Sequence, residues 1–211
     1  MPGRDEQDYE RRRQQIIDGA LYAFAHKGFE RATNKDIAEA AGIRSAGLIY
    51  HYFKDKADLL RQVVEERAPM LQLLNQHESL MRLPPREALP LLGATFVKTL
   101  DNHSTFALFK LILGEAVRRP AFADMINAIG PSRGFTFFRR YLEQQMAAGT
   151  LRQTDPGAAA RCFLGPLIAF VLTREVFPQA DSQQLSAEAM VALTVEIFLA
   201  GMEPERTSTP N

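Results

Sequence analysis

Signals for extended structure are scarce in this chain: few stretches alternate apolar with polar residues, β-branched runs are short, and no Asn-Gly or Asp-Gly pair offers a tight hairpin. An all-α fold is the expectation that remains. Cysteine is equally scarce. Cys162 stands alone among 211 residues, which excludes an intrachain disulfide and a thiolate zinc cluster and suits a reducing compartment. The opening MPGRDEQDYERRR lacks the apolar stretch of a secretory signal, and no apolar run of about eighteen or more residues stands out, so a cytoplasmic protein without a membrane span is expected. Net charge is missing too: 25 Lys and Arg balance 25 Asp and Glu, and residues 1–60 hold ten of each sign. Any affinity for nucleic acid must come from cations gathered on one face, because screening limits their reach to about 10 Å. His26, His51, His77 and His103 are scattered, with no metalloprotease pair and no nucleophile elbow, so no catalytic residue, metal site or cofactor is assigned.

Helical periodicity is abundant. Ile16, Ala20 and Phe24 stand four apart, Ile17 and Leu21 lie on the adjoining row, and Gly28 supplies a stop, which predicts a first helix over 8–27. Thr33-Asn34-Lys35-Asp36 is a capping-box pattern opening a short helix whose apolar face is Ile37, Ala38 and Ala41, closed by Gly42. Ser45 is the expected cap of a second short helix running to His51 or Phe53, and Asp55 with Asp58 opens a long one carrying Leu59, Leu60, Val63 and Val64. Pro69 should bend or break that helix, and Pro84-Pro85 marks a loop. Further helices are expected over 86–101, 104–118, 121–129, 132–148, 156–177 and 184–200, before a tail, EPERTSTPN, with no apolar content to bury.

Two short helices joined by a glycine-containing turn, between longer flanking helices, are the parts of a DNA-reading helix-turn-helix. In the second short helix, Ile49 and Phe53 share the side due for the core. Ala46, Gly47, Leu48, Tyr50 and His51 are left to look outward, where small residues let a backbone approach a groove or phosphate and an apolar Leu48 can meet a thymine methyl. Thr33, Ser45 and Asp55 also have a plain reading as helix caps, Tyr52 as core, and Arg11-Arg12-Arg13 as either a solvated helix face or a phosphate-contacting arm.

The stretch GFERATNKDIAEAAGIRSAGLIYHYFKDKADLL, residues 28–60, resembles the tetracycline-repressor (TetR) family in Gly28, in Thr33 four before Ile37-Ala38, and in Ala41-Gly42, Ser45-x-Gly47, Tyr50, Phe53 and Lys56. It departs from that pattern at Arg44, which lengthens the turn from Gly42 to Ser45 by one residue. The resemblance implies a regulator, by default a repressor, that binds double-stranded operator DNA as a homodimer and is released by a small molecule. It also implies that Thr33 and Lys56 hold phosphates at helix N-termini, that Ser45, Ala46, Gly47 and Leu48 approach bases, and that Tyr50 and His51 hold the backbone. Lys35 and Arg44 are the long cations placed to add a base or phosphate contact.

Beyond residue 60 the resemblance is more general, in FALFKLILGEAVRRPAFADMI and DPGAAARCFLGPLIAFVL, which look like one C-terminal branch of the family. Eleven of the 14 phenylalanines fall between Phe96 and Phe198. They allow an aromatic-lined cavity for a small apolar or aromatic ligand, with Phe96, Leu100, Phe106, Phe109, Leu113, Phe135, Phe138, Phe163 and Phe170 as its candidate lining, or an ordinary core. Residues 158–172 and 187–199 are apolar nearly all round, so each helix must bury two faces. One face serves the domain core. The other suits a second copy of the chain, through helices near 156–177 and 184–200, the arrangement the family resemblance implies. The expected organisation is a helix-turn-helix domain over 1–54, a helical ligand-binding and dimerisation domain over 55–202 and a disordered tail over 203–211. A rival reading keeps the DNA-binding head and makes the larger domain a protein-interaction or dimerisation platform without a ligand.

Overall fold

The computed structural model describes residues 4–74, 77–98 and 103–204, and among these every regular element is helical. In chain order they are α1 (Arg4–Lys27), α2 (Asn34–Ala40), α3 (Ile49–Tyr52, entered through a 3-10 turn over Ala46–Leu48), α4 (Lys56–Arg67), α5 (Pro69–Leu74) and α6 (His77–Arg82). There follow α7 (Pro85–Val97), α8 (His103–Arg118), α9 (Pro120–Ile129), α10 (Pro131–Ala147), α11 (Pro156–Val171, prolonged by a π turn over Leu172–Val176), α12 (Ala180–Gln184) and α13 (Ala187–Met202). Pro69 breaks the helix before it, as its missing donor requires. The short α5, α6 and α12 are additions to the sequence expectation. Leu100, and residues 205–211 of the expected tail, lie outside the described residues.

The chain divides into two compact units, Met1–Ala68 with Asn102–Gly130, and Pro69–Asp101 with Pro131–Asn211. The expected boundary after residue 54 does not coincide with this division. Helix α4 packs along α1, α8 also packs on α1, and α9 packs on α4, so all three belong with the head. Periodicity announces that a helix has an apolar face but not which neighbour covers it.

In the first unit the row Ile16, Ile17, Ala20, Leu21 and Phe24 of α1 is buried in one core with Ile37, Ile49, Phe53, Leu59, Leu60 and Val63. Each fully buried Leu, Ile, Val or Phe contributes about 1.5–3 kcal/mol, and this burial holds elements as short as α3, which could not persist alone. Gly19 sets the approach of α1 to α2: a Cβ there would lie 2.6 Å from the Ala41 amide nitrogen and 2.8 Å from the Ile37 carbonyl oxygen. Helix α2 stops at Gly42, whose φ of 65° is the left-handed conformation that costs glycine least. The turn is sealed by the Ile43 N–H, which donates to the Ala38 carbonyl at 3.0 Å while the Ile43 side chain is buried. Farther along α1, Arg13 is clasped by Glu66 and by Gln62 at 2.9 Å, and Arg67 reaches Asp18 at 2.8 Å. Burial pushes the Glu66 carboxyl up, but hydrogen bonds from Arg13 and Gln14 outweigh it and hold the group below its ordinary value.

The second unit has its own core, in which Leu89, Phe138, Tyr141, Leu142, Phe163, Leu167 and Phe198 meet. The Tyr141 hydroxyl donates to the Leu83 carbonyl at 2.8 Å, and burial pushes its pKa up. The segment Pro156–Val176 spans 21 residues and is long and apolar enough to cross a bilayer by length and composition alone, although Arg161, Arg174 and Glu175 interrupt its apolar run. Its Ala160, Phe163, Leu167 and Phe170 side is nevertheless packed into the core of this unit. The opposite faces of α11 and α13 are open, with Ile168 42%, Leu193 48% and Ile197 64% exposed.

Candidate nucleic-acid interface

Thr33 caps α2 with both halves of a capping box: the Asp36 amide donates to its hydroxyl oxygen at 3.2 Å, and its own amide donates to the Asp36 carboxylate at 2.9 Å. Lys27 closes the arrangement, with Nζ 2.7 Å from Asp36. The Lys27 hydrogen bond, then those from Thr33, hold the Asp36 carboxyl far below the usual carboxylate range. Thr33 and Lys35 are both exposed at this end of α2.

The following turn carries Arg44 outward while Ile43 stays inside. Ser45 has the extended dihedrals of a cap, but its hydroxyl makes no capping bond, which corrects the sequence expectation. Instead its carbonyl accepts from the Leu48 amide at 3.2 Å, closing the 3-10 turn without help from the side chain. Ile49 and Phe53 are each 3% exposed, so the inner side is fixed. Gly47, Tyr50 and His51 are exposed on the outer side, Tyr50 to 63%, whereas Ala46 and Leu48 are half-buried. A Cβ on Gly47 would meet nothing nearer than the Ser45 hydroxyl oxygen at 3.5 Å, so no intrachain contact requires glycine there.

Lys56 is engaged within the chain. Its Nζ donates to the Glu30 and Ala32 carbonyls at 3.1 and 3.3 Å and lies 4.8 Å from the Phe29 ring centroid. It fastens the loop that carries Thr33, while Arg119 pairs with the Glu30 carboxylate and Phe122 lies 5.7 Å from Phe29. The start of α4 is capped by Asp55, which accepts from the Asp58 amide at 2.7 Å. The run Arg11-Arg12-Arg13 is not a uniform arm either: Arg11 pairs with Asp8 at 2.9 Å, and Arg13 is held by Glu66.

Two residues of this region escaped the sequence reading. Gly19 signalled itself only as a glycine inside a helical pattern, which costs about 1 kcal/mol relative to alanine and so wants a reason. Tyr9 gave no signal, yet its ring lies tilted against that of Tyr52 with centroids 4.7 Å apart, and Tyr52 is half-buried rather than the core residue expected.

The eight candidate ligand-lining positions among the described residues are not gathered in one unit. Phe106 and Phe109, stacked at 6.1 Å, and Leu113, 38% exposed, belong to the first. Phe96, Phe135, Phe138, Phe163 and Phe170 belong to the second, where Phe138 and Phe163 pack at 5.2 Å within the core and Phe135 lies under Arg161 at 4.8 Å. Two surface depressions, of about 340 and 370 Å³, open beside Leu151 and Val195, and none of these phenylalanines or leucines lines them.

A short helix anchored on one side and bare on the other, behind a second capped helix and a tight turn, defines a helix-turn-helix protein of all-helical build. Residues 16–63 match the family model described as bacterial regulatory proteins, tetR family, and residues 87–202 match that of the AefR-like transcriptional repressor, C-terminal domain. The chain belongs to the TetR family of bacterial transcriptional regulators. It is similar to an HTH-type transcriptional repressor of Mycobacterium tuberculosis, 35% identical over 81 residues covering 38% of this chain and 43% of that one. It is also similar to the regulator BetI of Escherichia coli, 35% identical over 142 residues covering 64% of this chain and 72% of BetI. Among solved structures, the fatty acid degradation regulator FadR of Bacillus halodurans superposes with a TM-score of 0.71 at 26% identity, covering 89% of this chain and 98% of that one. The chain spans about half or less of the length of several curated relatives it matches.

Proposed function

We propose that the chain is a transcriptional repressor that binds operator DNA as a homodimer and leaves it when a small molecule binds. The observation that carries this is the outer edge of the recognition segment, Gly47, Tyr50 and His51, exposed over a buried Ile49 and Phe53. In a major groove, Gly47 lets the backbone approach, and Ser45, with the half-buried Ala46 and Leu48, faces base edges. Tyr50 and His51 donate to phosphates beside them. Thr33 adds a phosphate contact at the start of α2, with Lys35 and Arg44 as the exposed cations nearest the strands. Lys56 contributes by holding the loop that presents Thr33, with any phosphate contact secondary to its two carbonyl bonds.

Dimerisation through α11 and α13 supplies the missing cover for Ile168, Leu193 and Ile197, and a two-fold pair of short helices reads two half-sites where one helix would read too few bases. Placing a carboxylate in that face with Ile197→Glu should turn a dimer into a monomer in sedimentation while the helical signal is kept. Release by a small molecule follows if it favours a dimer with mismatched recognition helices; a coupling of about 1–3 kcal/mol weakens operator binding roughly 5- to 150-fold. The tight ring packing of Phe138, Phe163 and Phe198 favours a second reading, in which the second unit only dimerises. Titration of the operator complex with small apolar and aromatic compounds separates the two. The main test is selection of bound duplexes from a genomic pool by the purified protein. Enriched sequences should share two-fold related half-sites about 34 Å apart, and a pool that stays unenriched at moderate salt contradicts the proposal.

A further inference from the structure

The first three turns of α1 run ahead of the core. Residues 5–11 are exposed, and the buried row of this helix begins only at Ile16. From this overhang Tyr9 reaches the far end of the recognition helix. Its ring centroid lies 4.7 Å from that of Tyr52 at an interplanar angle of 36°, and 6.3 Å from that of His51, nearly edge-on at 71°. His51 in turn stands edge-on to Tyr52, with centroids 5.3 Å apart. Three rings from two elements thus form one cluster, in the separations and tilts that aromatic quadrupoles favour. Helix α3 has four residues, and its buried anchors, Ile49 and Phe53, grip one side only. Nothing in those anchors fixes where the exposed imidazole points.

We infer that Tyr9 is a positioning residue for DNA recognition: its ring, not its hydroxyl, holds His51 and the end of the recognition helix in the orientation that meets the duplex. The inference rests on the DNA-reading function proposed above. Charge does not by itself assign Tyr9 a phosphate contact, because Asp5, Glu6, Asp8 and Glu10 share the overhang with Arg11 and Arg12, so Tyr9→Phe is the variant that separates ring from hydroxyl.

The test uses the full chain and the duplex that the wild-type protein selects. Tyr9→Phe should bind within about twofold of wild type, and Tyr9→Ala should bind about fivefold or more weakly, as the loss of two ring contacts implies. Tyr9→Ala should add little in a His51→Ala background, because the two residues act as a unit. The His51 ring-proton resonances should move in Tyr9→Ala without any DNA present. A Tyr9→Phe variant as weak as Tyr9→Ala overturns the inference in favour of a hydroxyl contact. Strictly additive losses, or an unmoved His51 resonance, overturn it in favour of a merely local role. If the wild type selects no duplex, the DNA-reading function itself fails; if it selects one and Tyr9→Ala binds it equally well, only this inference fails.

Discussion

At the joint between α1 and α2 a glycine lets two backbones touch, whereas in the recognition segment a glycine touches nothing. The would-be Cβ of Gly19 falls 2.6 Å from a backbone nitrogen, while that of Gly47 meets only a hydroxyl oxygen at 3.5 Å. Gly19 sits inside the 24-residue α1 and Gly47 in the 3-10 turn that enters α3, and helical propensity disfavours glycine against alanine, by roughly 1 kcal/mol in a helix interior. One cost is offset inside the molecule by packing. The other has no offset inside the molecule, which points to a requirement outside it.

The largest effect should come from breaking the joint. Gly19→Ala forces α2 away from α1 and should cost about 3 kcal/mol, a fall of roughly 6–12 °C in thermal midpoint by calorimetry. Gly47→Ala sharpens the contrast by separating stability from binding: the midpoint should hold or rise slightly, while affinity for the selected duplex falls on the order of tenfold, about 1.4 kcal/mol. A lower midpoint with unchanged affinity would make Gly47 an ordinary folding residue.

Thr33 belongs to both sides of the comparison, as a cap and as a contact. Thr33→Ala should lose about 1 kcal/mol of stability, seen as a shift of roughly 2–4 °C, together with affinity, and Thr33→Ser should recover most of both. The smallest effect is the acid sensitivity of the same cap. Asp36 has its carboxyl lowered on folding, so its contribution is complete above the unfolded value of about 3.9 and is lost as pH falls through the lower folded value. The difference in thermal midpoint between wild type and Asp36→Asn should therefore be greatest near neutrality and shrink on acidification below about pH 4.

The sequence announced the head where local chemistry dictates local structure. Thr33 with Asp36, Gly42 with its positive φ, and Asp55 with Asp58 each terminate a helix by a bond between near neighbours, and all are seen. Helices of five or six residues such as α12 and α6 carry too few apolar repeats to be legible. The alliance of α8 and α9 with the head was hidden for another reason: Arg119 with Glu30 and Phe122 with Phe29 pair residues some ninety positions apart. The exposed residues of the recognition edge followed from the periodicity of Ile49 and Phe53, but the chain's hold on the Lys56 ammonium, and the bare hydroxyl of Ser45, depend on where a loop carbonyl or a turn amide comes to rest. Pattern does not carry that.

Placing a carboxylate at the bare edge with Gly47→Glu, and titrating the selected duplex by fluorescence anisotropy alongside wild type, asks most directly whether that edge enters a groove. Repulsion from the phosphates should weaken binding by about a hundredfold or more with little change in thermal midpoint. Wild-type affinity in that variant would mean that the duplex lies elsewhere.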